Sequence, residues 1–231
     1  MERYVEKLLY RVSMAFIIIG TSIMVVLILQ TPKTCVPPNA PLKPHTHFPR
    51  STCDSSPRQH LPLPKKNSRL WSSRAWQSRL SSFSSFFLHF HHLGLLHNHS
   101  KALCVSAGAG HAAMALTHLG LSDVTAVELV DSPPLVNRAD PHNLPFFDDV
   151  FDFAFTAHLD EALFPRRFAA EMERTVRRGG LCVVAVDECG GEDVRDIAGL
   201  FSNSKLVNVV NVTLEGSRRT SVLFQIQGSA S

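Results

Sequence analysis

The chain has 231 residues, a formal net charge of +3 at pH 7 and 45% hydrophobic residues, enough for one domain of about 130 to 150 residues with its own core. Residues 1–100 hold 12 Lys/Arg and 3 Asp/Glu, whereas residues 101–231 hold 11 Lys/Arg and 17 Asp/Glu. The acidic half is the predicted folded domain, and its charge argues against nucleic acid as a partner, because phosphates need a basic face. The five cysteines contain no CxxC pair, which excludes a regular disulfide framework.

The N-terminal segment has the pattern of a membrane anchor. Residues 1–11 form a short tail with three basic residues, and residues 12–30 carry no charge, which is about long enough for a helix to cross a thin bilayer. The sequence after Gln30 is a poor cleavage site, which favours an uncleaved signal anchor. We predict a single-pass membrane protein of the endoplasmic reticulum or Golgi with the domain in the lumen. Another organelle membrane is the alternative.

Two segments connect the anchor to the domain. Residues 31–70 are rich in Pro, Ser, Lys and His, a composition that predicts a flexible stalk. Residues 71–100 place Trp, Leu and Phe at intervals of three to four residues. This spacing predicts an amphipathic helix whose aromatic face packs on the domain that follows.

The first part of the domain has the layout of a nucleotide-type cofactor site. A hydrophobic run over residues 102–107 ends in Gly108-Ala109-Gly110, and a helical pattern follows over residues 111–119. A second strand-like run, residues 124–130, contains Glu128. Glycines let the backbone turn sharply beside a ligand, and a carboxylate at the end of the second strand accepts hydrogen bonds from a ribose diol.

The remaining pattern alternates strands and helices and ends in two strands. The predicted elements are a strand at 153–156, a helix at 165–177, a turn at Arg178-Gly179-Gly180, a strand at 181–186, a helix at 193–201, and strands at 206–214 and 220–226. The fold class is therefore α/β. Residues 101–227 are predicted to form a doubly wound, Rossmann-like, mostly parallel sheet with a C-terminal antiparallel hairpin, preceded by one transmembrane helix.

Four segments carry a family resemblance: CVSAGAGHA, VTAVELV, ADPHNLPFFDDVFDFAF and EMERTVRRGGLCVVAV. In this order and spacing they are similar to the glycine motif, the ribose-binding acid, the Asp-x-x-x-Leu-Pro-Phe segment and the Gly-Gly turn of class I S-adenosylmethionine-dependent methyltransferases of type 11. The whole chain, with its anchor and stalk, resembles plant membrane proteins of this group.

The resemblance implies S-adenosyl-L-methionine as the cofactor. The cofactor-binding residues that it implies are Ser106, Gly108, Gly110, Glu128, Leu129, Asp140, His142, Thr156 and Ala157. Glu128 would bind the ribose hydroxyls, Asp140 would accept from the adenine amino group, and His142 would offer its backbone N–H near the ring. Thr156, Ala157 and His158 would lie beside the sulfonium.

The sequence departs from the family pattern at three positions. Ser106 stands where the family has an acid, Ala112 replaces its third glycine, and Arg178 replaces a proline. The resemblance implies that Ser106 holds the methionine amino group of the cofactor more weakly than the family acid would.

Methyl transfer to an oxygen or nitrogen needs an aligned nucleophile and, in many cases, a general base. The candidate catalytic residues are His158, Asp160 and Glu161, in that order, because a histidine titrates near neutral pH. His158 as a loop cap is the alternative. No metal site is expected.

The favoured function is a membrane-anchored, S-adenosylmethionine-dependent methyltransferase that acts on a small molecule, a glycan or a protein. One alternative is a methyltransferase-like interaction module that binds the cofactor weakly. A less favoured one is an NAD-dependent oxidoreductase, because Gly108, Gly110 and Glu128 also fit that fingerprint, although no catalytic Tyr-x-x-x-Lys follows. The sequence does not identify the methyl acceptor, because a fold does not determine chemistry.

Overall fold

The computed structural model describes residues 2–34 and 62–227, and the chain divides into two units after Leu63. Helix α1 (Glu2–Thr34) forms the first unit. Its segment Leu9–Leu29 has 21 residues and a mean hydropathy of 2.7, which by length and composition suffices to cross a membrane, as a signal sequence also would. An N-terminal apolar helix is thus confirmed. Most of the predicted stalk lies outside the described residues.

The stalk prediction is wrong for its last residues, which form helix α2 (Leu63–Trp71). Two side chains four residues apart hold this helix against the domain. Asn67 Nδ2 donates a hydrogen bond of 2.9 Å to the carbonyl of Pro133, and the half-buried Trp71 packs against the core. These contacts join residues far apart in the sequence, so the polar composition of the segment gave no sign of them.

Helix α3 (Arg74–His92) begins where Ser73 caps it, its hydroxyl accepting the backbone N–H of Trp76. Its buried side chains recur every three to four residues: Trp76, Leu80, Phe83, Phe86, Phe87 and Phe90. Phe87 is fully buried, and its ring lies 4.9 Å from that of Phe155 and 6.2 Å from that of Phe153. The helix therefore covers the middle of the sheet with an aromatic face.

Seven strands form one sheet. In chain order they are β1 (Lys101–Val105), β2 (Asp123–Glu128), β3 (Asn137–Arg138), β4 (Phe151–Thr156), β5 (Val176–Asp187), β6 (Ser204–Leu214) and β7 (Ser217–Ile226). The spatial order is β3-β2-β1-β4-β5-β7-β6. The first five strands in this order are parallel, and β7 is antiparallel to β5 and β6. The predicted fold class is confirmed.

Helices cover both faces of the sheet. Helix α4 (His111–His118) shares one hydrophobic core with α3, and helices α5 (Pro165–Thr175) and α6 (Gly191–Ala198) contribute to the other. Burial raises the pKa of Cys104 to about 12 and also raises the pKa of Cys182. Both thiols therefore stay protonated as small core residues.

The predicted turn at residues 178–180 is wrong, because β5 runs through it. The pairing of β4 with β5 shifts from Phe151↔Val176 to Phe153↔Leu181, so three extra residues interrupt the ladder and the glycines lie in this irregular bulge of β5. A Cβ atom at Gly180 would lie 2.8 Å from the carbonyl oxygen of Asp152, which explains the glycine there.

Two further boundaries differ from prediction. The short edge strand β3 was not predicted, because two residues are too few for any periodic pattern. The hairpin connection is only Glu215-Gly216, with φ of +54° and +84°, and Leu214 pairs directly with Ser217. Positive φ at both central residues is the geometry of a tight hairpin turn.

The packing of α3 gives a stability prediction. Phe87→Ala should lower the free energy of unfolding by about 3 to 5 kcal/mol, because it removes a fully buried ring and leaves a cavity against β4. Urea denaturation of the detergent-solubilised chain measures this change. The matched control is Leu88→Ala, at a side chain that is 39% exposed, where a loss below about 1 kcal/mol is expected. Equal losses would contradict the packing.

Candidate cofactor and acceptor site

The turn after β1 is built on three residues with left-handed backbone. Ser106, Gly108 and Gly110 have φ of +51°, +54° and +98°. A Cβ atom at Gly110 would lie 2.8 Å from Leu135 Cβ and 2.9 Å from Val136 Cγ2, whereas one at Gly108 would meet nothing within 4 Å. Gly110 is therefore required for close packing against the loop before β3, and Gly108 faces open space that a ligand can occupy.

Glu128 joins the ends of β1 and β2. Its Oε2 accepts the N–H of Gly108 at 3.1 Å, and its Oε1 accepts the N–H of Leu129 at 2.8 Å. Each carboxylate oxygen has two lone pairs, so both keep one acceptor site free. Two free acceptor sites on adjacent oxygens match the two hydroxyls of a ribose.

Ser106 occupies the position of the missing family acid. The residue is half-buried at the end of β1, directly before the turn. Its hydroxyl takes part in no hydrogen bond among residues 62–227. A hydroxyl still accepts a hydrogen bond from an ammonium group, but without the charge of a carboxylate the contact is weaker.

Asp140 and His142 form a small network after β3. Asp140 Oδ1 accepts the backbone N–H of His142 at 2.9 Å and lies 3.1 Å from its Nδ1. The N–H of Phe164 donates to His142 Nε2 at 3.3 Å, which assigns the ring proton to Nδ1. The backbone N–H of His142, predicted to face adenine, is thus already used.

The hydrogen bond from the backbone N–H of His142 lowers the pKa of Asp140, which stays ionised at neutral pH. Its Oδ2 atom takes no hydrogen bond from the described part of the chain. That oxygen is available to accept a hydrogen bond from an amino group, and the family resemblance implies that this group is the amino group of adenine.

The chain after β4 carries the predicted catalytic residues. Thr156 is fully buried, and its hydroxyl accepts the N–H of His158 at 3.2 Å. His158 Nδ1 lies 3.3 Å from Glu161 Oε1, and both side chains reach solvent. Asp160 instead accepts the N–H of Asp187 at 3.4 Å, linking this loop to the end of β5. The three predicted candidates therefore lie on one loop but make different contacts.

Arg219 is a site residue that the sequence analysis missed. It lies in β7, and its guanidinium donates to the carbonyl of Ala157 at 2.9 Å and that of Ala185 at 3.4 Å. It also pairs with Asp187 at 3.4 Å and is only 15% exposed. The guanidinium thereby fastens the loop after β4 to the end of β5. No local pattern could reveal this contact, because 62 residues separate Arg219 from Ala157.

A cavity of about 380 Å³ adjoins this loop at the carboxyl ends of β4 and β5. Its lining combines apolar side chains, among them Leu159 and Ile197, with the carboxylates of Asp160, Asp187 and Glu188. A larger cavity of about 830 Å³ lies between α3 and the β6–β7 hairpin, but none of the predicted site residues lines it. The smaller cavity is therefore the better candidate for a ligand pocket, since ligands of parallel sheets bind at the carboxyl ends of strands.

Comparisons with known proteins agree with this fold. Residues 103–184 match the methyltransferase domain family of type 11. A methyltransferase from Aquifex aeolicus, S-adenosylmethionine-dependent by its description, superposes with a TM-score of 0.53 at 18% identity, covering 71% of this chain and 98% of that one. The PH0226 protein of Pyrococcus horikoshii superposes with a TM-score of 0.53 at 14% identity, covering 68% of this chain and 93% of that one. No curated protein matches the sequence significantly.

The glycine turn gives a second prediction. Gly108→Ala should lower the free energy of unfolding by about 1 to 2 kcal/mol, because only the left-handed backbone is strained. Gly110→Ala should lower it by about 2 to 5 kcal/mol, because contact with Leu135 is added to that strain. Urea denaturation in detergent measures the free energy of unfolding of both variants. If Gly110→Ala lowered this free energy no more than Gly108→Ala, the close packing at Gly110 would be refuted.

Proposed function

We propose that the chain is a class I S-adenosylmethionine-dependent methyltransferase anchored in a membrane by α1, and the match of residues 103–184 to a methyltransferase domain family supports this proposal. The acceptor binds over the carboxyl ends of β4 and β5 and is a small molecule, a glycan or a protein. The observation that carries the proposal is the carboxylate of Glu128, which holds the N–H of Gly108 and keeps two acceptor sites free beside the turn.

The residues present fit the cofactor. Open space over Gly108 gives room for the methionine part, and Ser106, which follows β1, stands at the position where the family resemblance implies a contact with its ammonium group. Glu128 accepts hydrogen bonds from the ribose hydroxyls, and Asp140 Oδ2 accepts one from the adenine amino group. When bound, S-adenosylmethionine supplies the methyl group on a positively charged sulfur.

The domain's part in catalysis is alignment and, for an acceptor with a proton to lose, its removal. Glu161 lies beside His158 Nδ1 and holds the proton there, which leaves Nε2 free to take a proton from the acceptor. Asp160 stays bound to the N–H of Asp187 and acts as a positioning residue. Thr156, whose buried hydroxyl accepts the N–H of His158, and Ala157 support the backbone between this base and the cofactor.

Membrane attachment rests on Leu9–Leu29, which meets the length and composition of a span. An uncleaved anchor keeps the enzyme near lipid or near acceptors that pass along a membrane. The charges that flank the span favour the endoplasmic reticulum or Golgi with a luminal domain, an orientation that the lipid docking proposed below would reverse. Glycosylation of the exposed Asn98 in Asn98-His99-Ser100 would report that orientation.

One alternative is an interaction module with a weakened cofactor site. Ser106 favours it, because the family acid is absent there. Measured cofactor affinity separates this alternative from an active enzyme.

Calorimetry tests the cofactor site. The detergent-solubilised chain should bind S-adenosylhomocysteine with a Kd on the order of micromolar and should not bind NAD. Glu128→Ala should weaken the binding of S-adenosylhomocysteine about 100-fold, because the two hydrogen bonds from the ribose hydroxyls to the carboxylate are lost. Glu192→Ala, at a fully solvated side chain on α6, is the control and should bind normally. A folded chain that binds no S-adenosylhomocysteine would support the interaction module.

A panel of amine, carboxylate and phenol acceptors, assayed with radiolabelled cofactor, tests the base. For an accepted substrate, His158→Ala should lower kcat by about 10² to 10⁴-fold and leave the affinity for S-adenosylhomocysteine unchanged. His118→Ala, at an exposed histidine at the end of α4, should have no effect on kcat. An unchanged kcat in His158→Ala would show that the histidine only caps its loop.

A further inference from the structure

The charge of the domain is strongly polarised. Residues 55–122 contain no Asp or Glu, whereas residues 123–227 contain 17 Asp/Glu and 10 Lys/Arg. The acid-free part includes α2 and α3, whose exposed basic side chains are Lys65, Lys66, Arg69, Arg74 and Arg79. Of these, Arg79 alone forms an ion pair among the described residues, with Glu215 at 3.7 Å. One side of the domain therefore carries uncompensated positive charge, which attracts an anionic surface.

Helix α2 is also poorly buried. It contains no buried residue, and Asn67 and Trp71 are its only side chains that are partly covered. Leu70 is 46% exposed and lies next to Arg69 and, four residues away, Lys66. Exposed leucine beside lysine and arginine on a short helix is the pattern of a segment that lies in a lipid headgroup region.

We propose that the outer surface of α2 and the first turn of α3, from Lys65 to Arg74, docks on an anionic lipid bilayer. The positive charge is complementary to anionic headgroups, and Leu70 is available to enter the boundary of the acyl chains. The inference rests on the proposed anchoring, because a span at Leu9–Leu29 keeps this surface at high effective concentration beside the bilayer. Nucleic acid, the other polyanion, lacks the apolar phase that would receive Leu70.

Docking fixes the direction in which the domain faces its membrane. Anionic lipid is concentrated in the cytoplasmic leaflet. In a cell, docking therefore requires a cytosolic domain, the reverse of the orientation predicted from the charges that flank the span.

Hydrogen exchange of the full-length protein in lipid nanodiscs tests the docking. A short helix with no buried residue opens readily, so its amides exchange fast when it is free in solution. In nanodiscs with 30% phosphatidylserine, residues 64–74 should exchange at least about tenfold more slowly than in phosphatidylcholine alone, since binding of the closed form slows opening. Each Lys or Arg near the membrane surface should strengthen binding to the anionic lipid about fivefold. Salt at 0.5 M should remove the difference in exchange between the two lipids.

The variant Lys65→Gln/Lys66→Gln/Arg69→Gln should abolish the difference between the two lipids. The matched control removes three exposed cations elsewhere on the domain, Arg166→Gln/Arg178→Gln/Lys205→Gln, and should keep it. Equal exchange in the two lipids, or equal loss in both variants, overturns the proposal. If a short RNA in detergent slowed the hydrogen exchange of residues 64–74 and phosphatidylserine did not, the surface would be assigned to nucleic acid. That result would also overturn the proposal. Failure of the protein to enter nanodiscs at all would instead refute the anchor.

Discussion

The left-handed turn at the end of β1 is the constraint on which the cofactor half of this domain depends. Three residues within five positions have positive φ, and the loop before β3 packs so closely on Gly110 that it leaves no space for a Cβ atom. The carboxylate of Glu128 then binds the N–H of Gly108 across the sheet. These contacts hold the turn, the acid and the loop toward Asp140 together at one edge, and such preorganisation lowers the cost of binding a ligand.

The acceptor half is assembled by contacts of a different kind. Arg219 from β7 holds the loop after β4, and Asp160 holds the end of β5 through the N–H of Asp187. These contacts connect elements that are remote in sequence, and the cavity beside them is lined by both apolar and acidic side chains. The proposed cofactor and acceptor sites thus share the carboxyl edge of the sheet, as open α/β sheets generally arrange them.

The sequence was sufficient to predict those elements that depend only on the residues within them. The strand, glycine turn and helix at residues 101–118 follow from hydrophobic periodicity and two glycines, and the hairpin follows from alternation. The bulge at Gly179 and Gly180 was mistaken for a turn, because local sequence does not show whether a partner strand continues on both sides. Helix α2 and Arg219 were missed because their partners are distant in the chain. The hydrogen bonds of the Glu128 carboxylate, which leave one acceptor site free on each oxygen, depend on the three-dimensional arrangement of two strand ends and could not be predicted from the sequence.

The most direct test of the cofactor site compares S-adenosylhomocysteine with its 3′-deoxyribose analogue in the native chain and in Glu128→Gln. If the carboxylate binds the ribose, loss of the hydroxyl should weaken binding at least about tenfold in the native chain and much less in the variant. Such a difference is a coupling energy of about 1 kcal/mol or more between the two groups. Equal penalties in both proteins would mean that Glu128 only supports the turn and that the ribose is bound elsewhere.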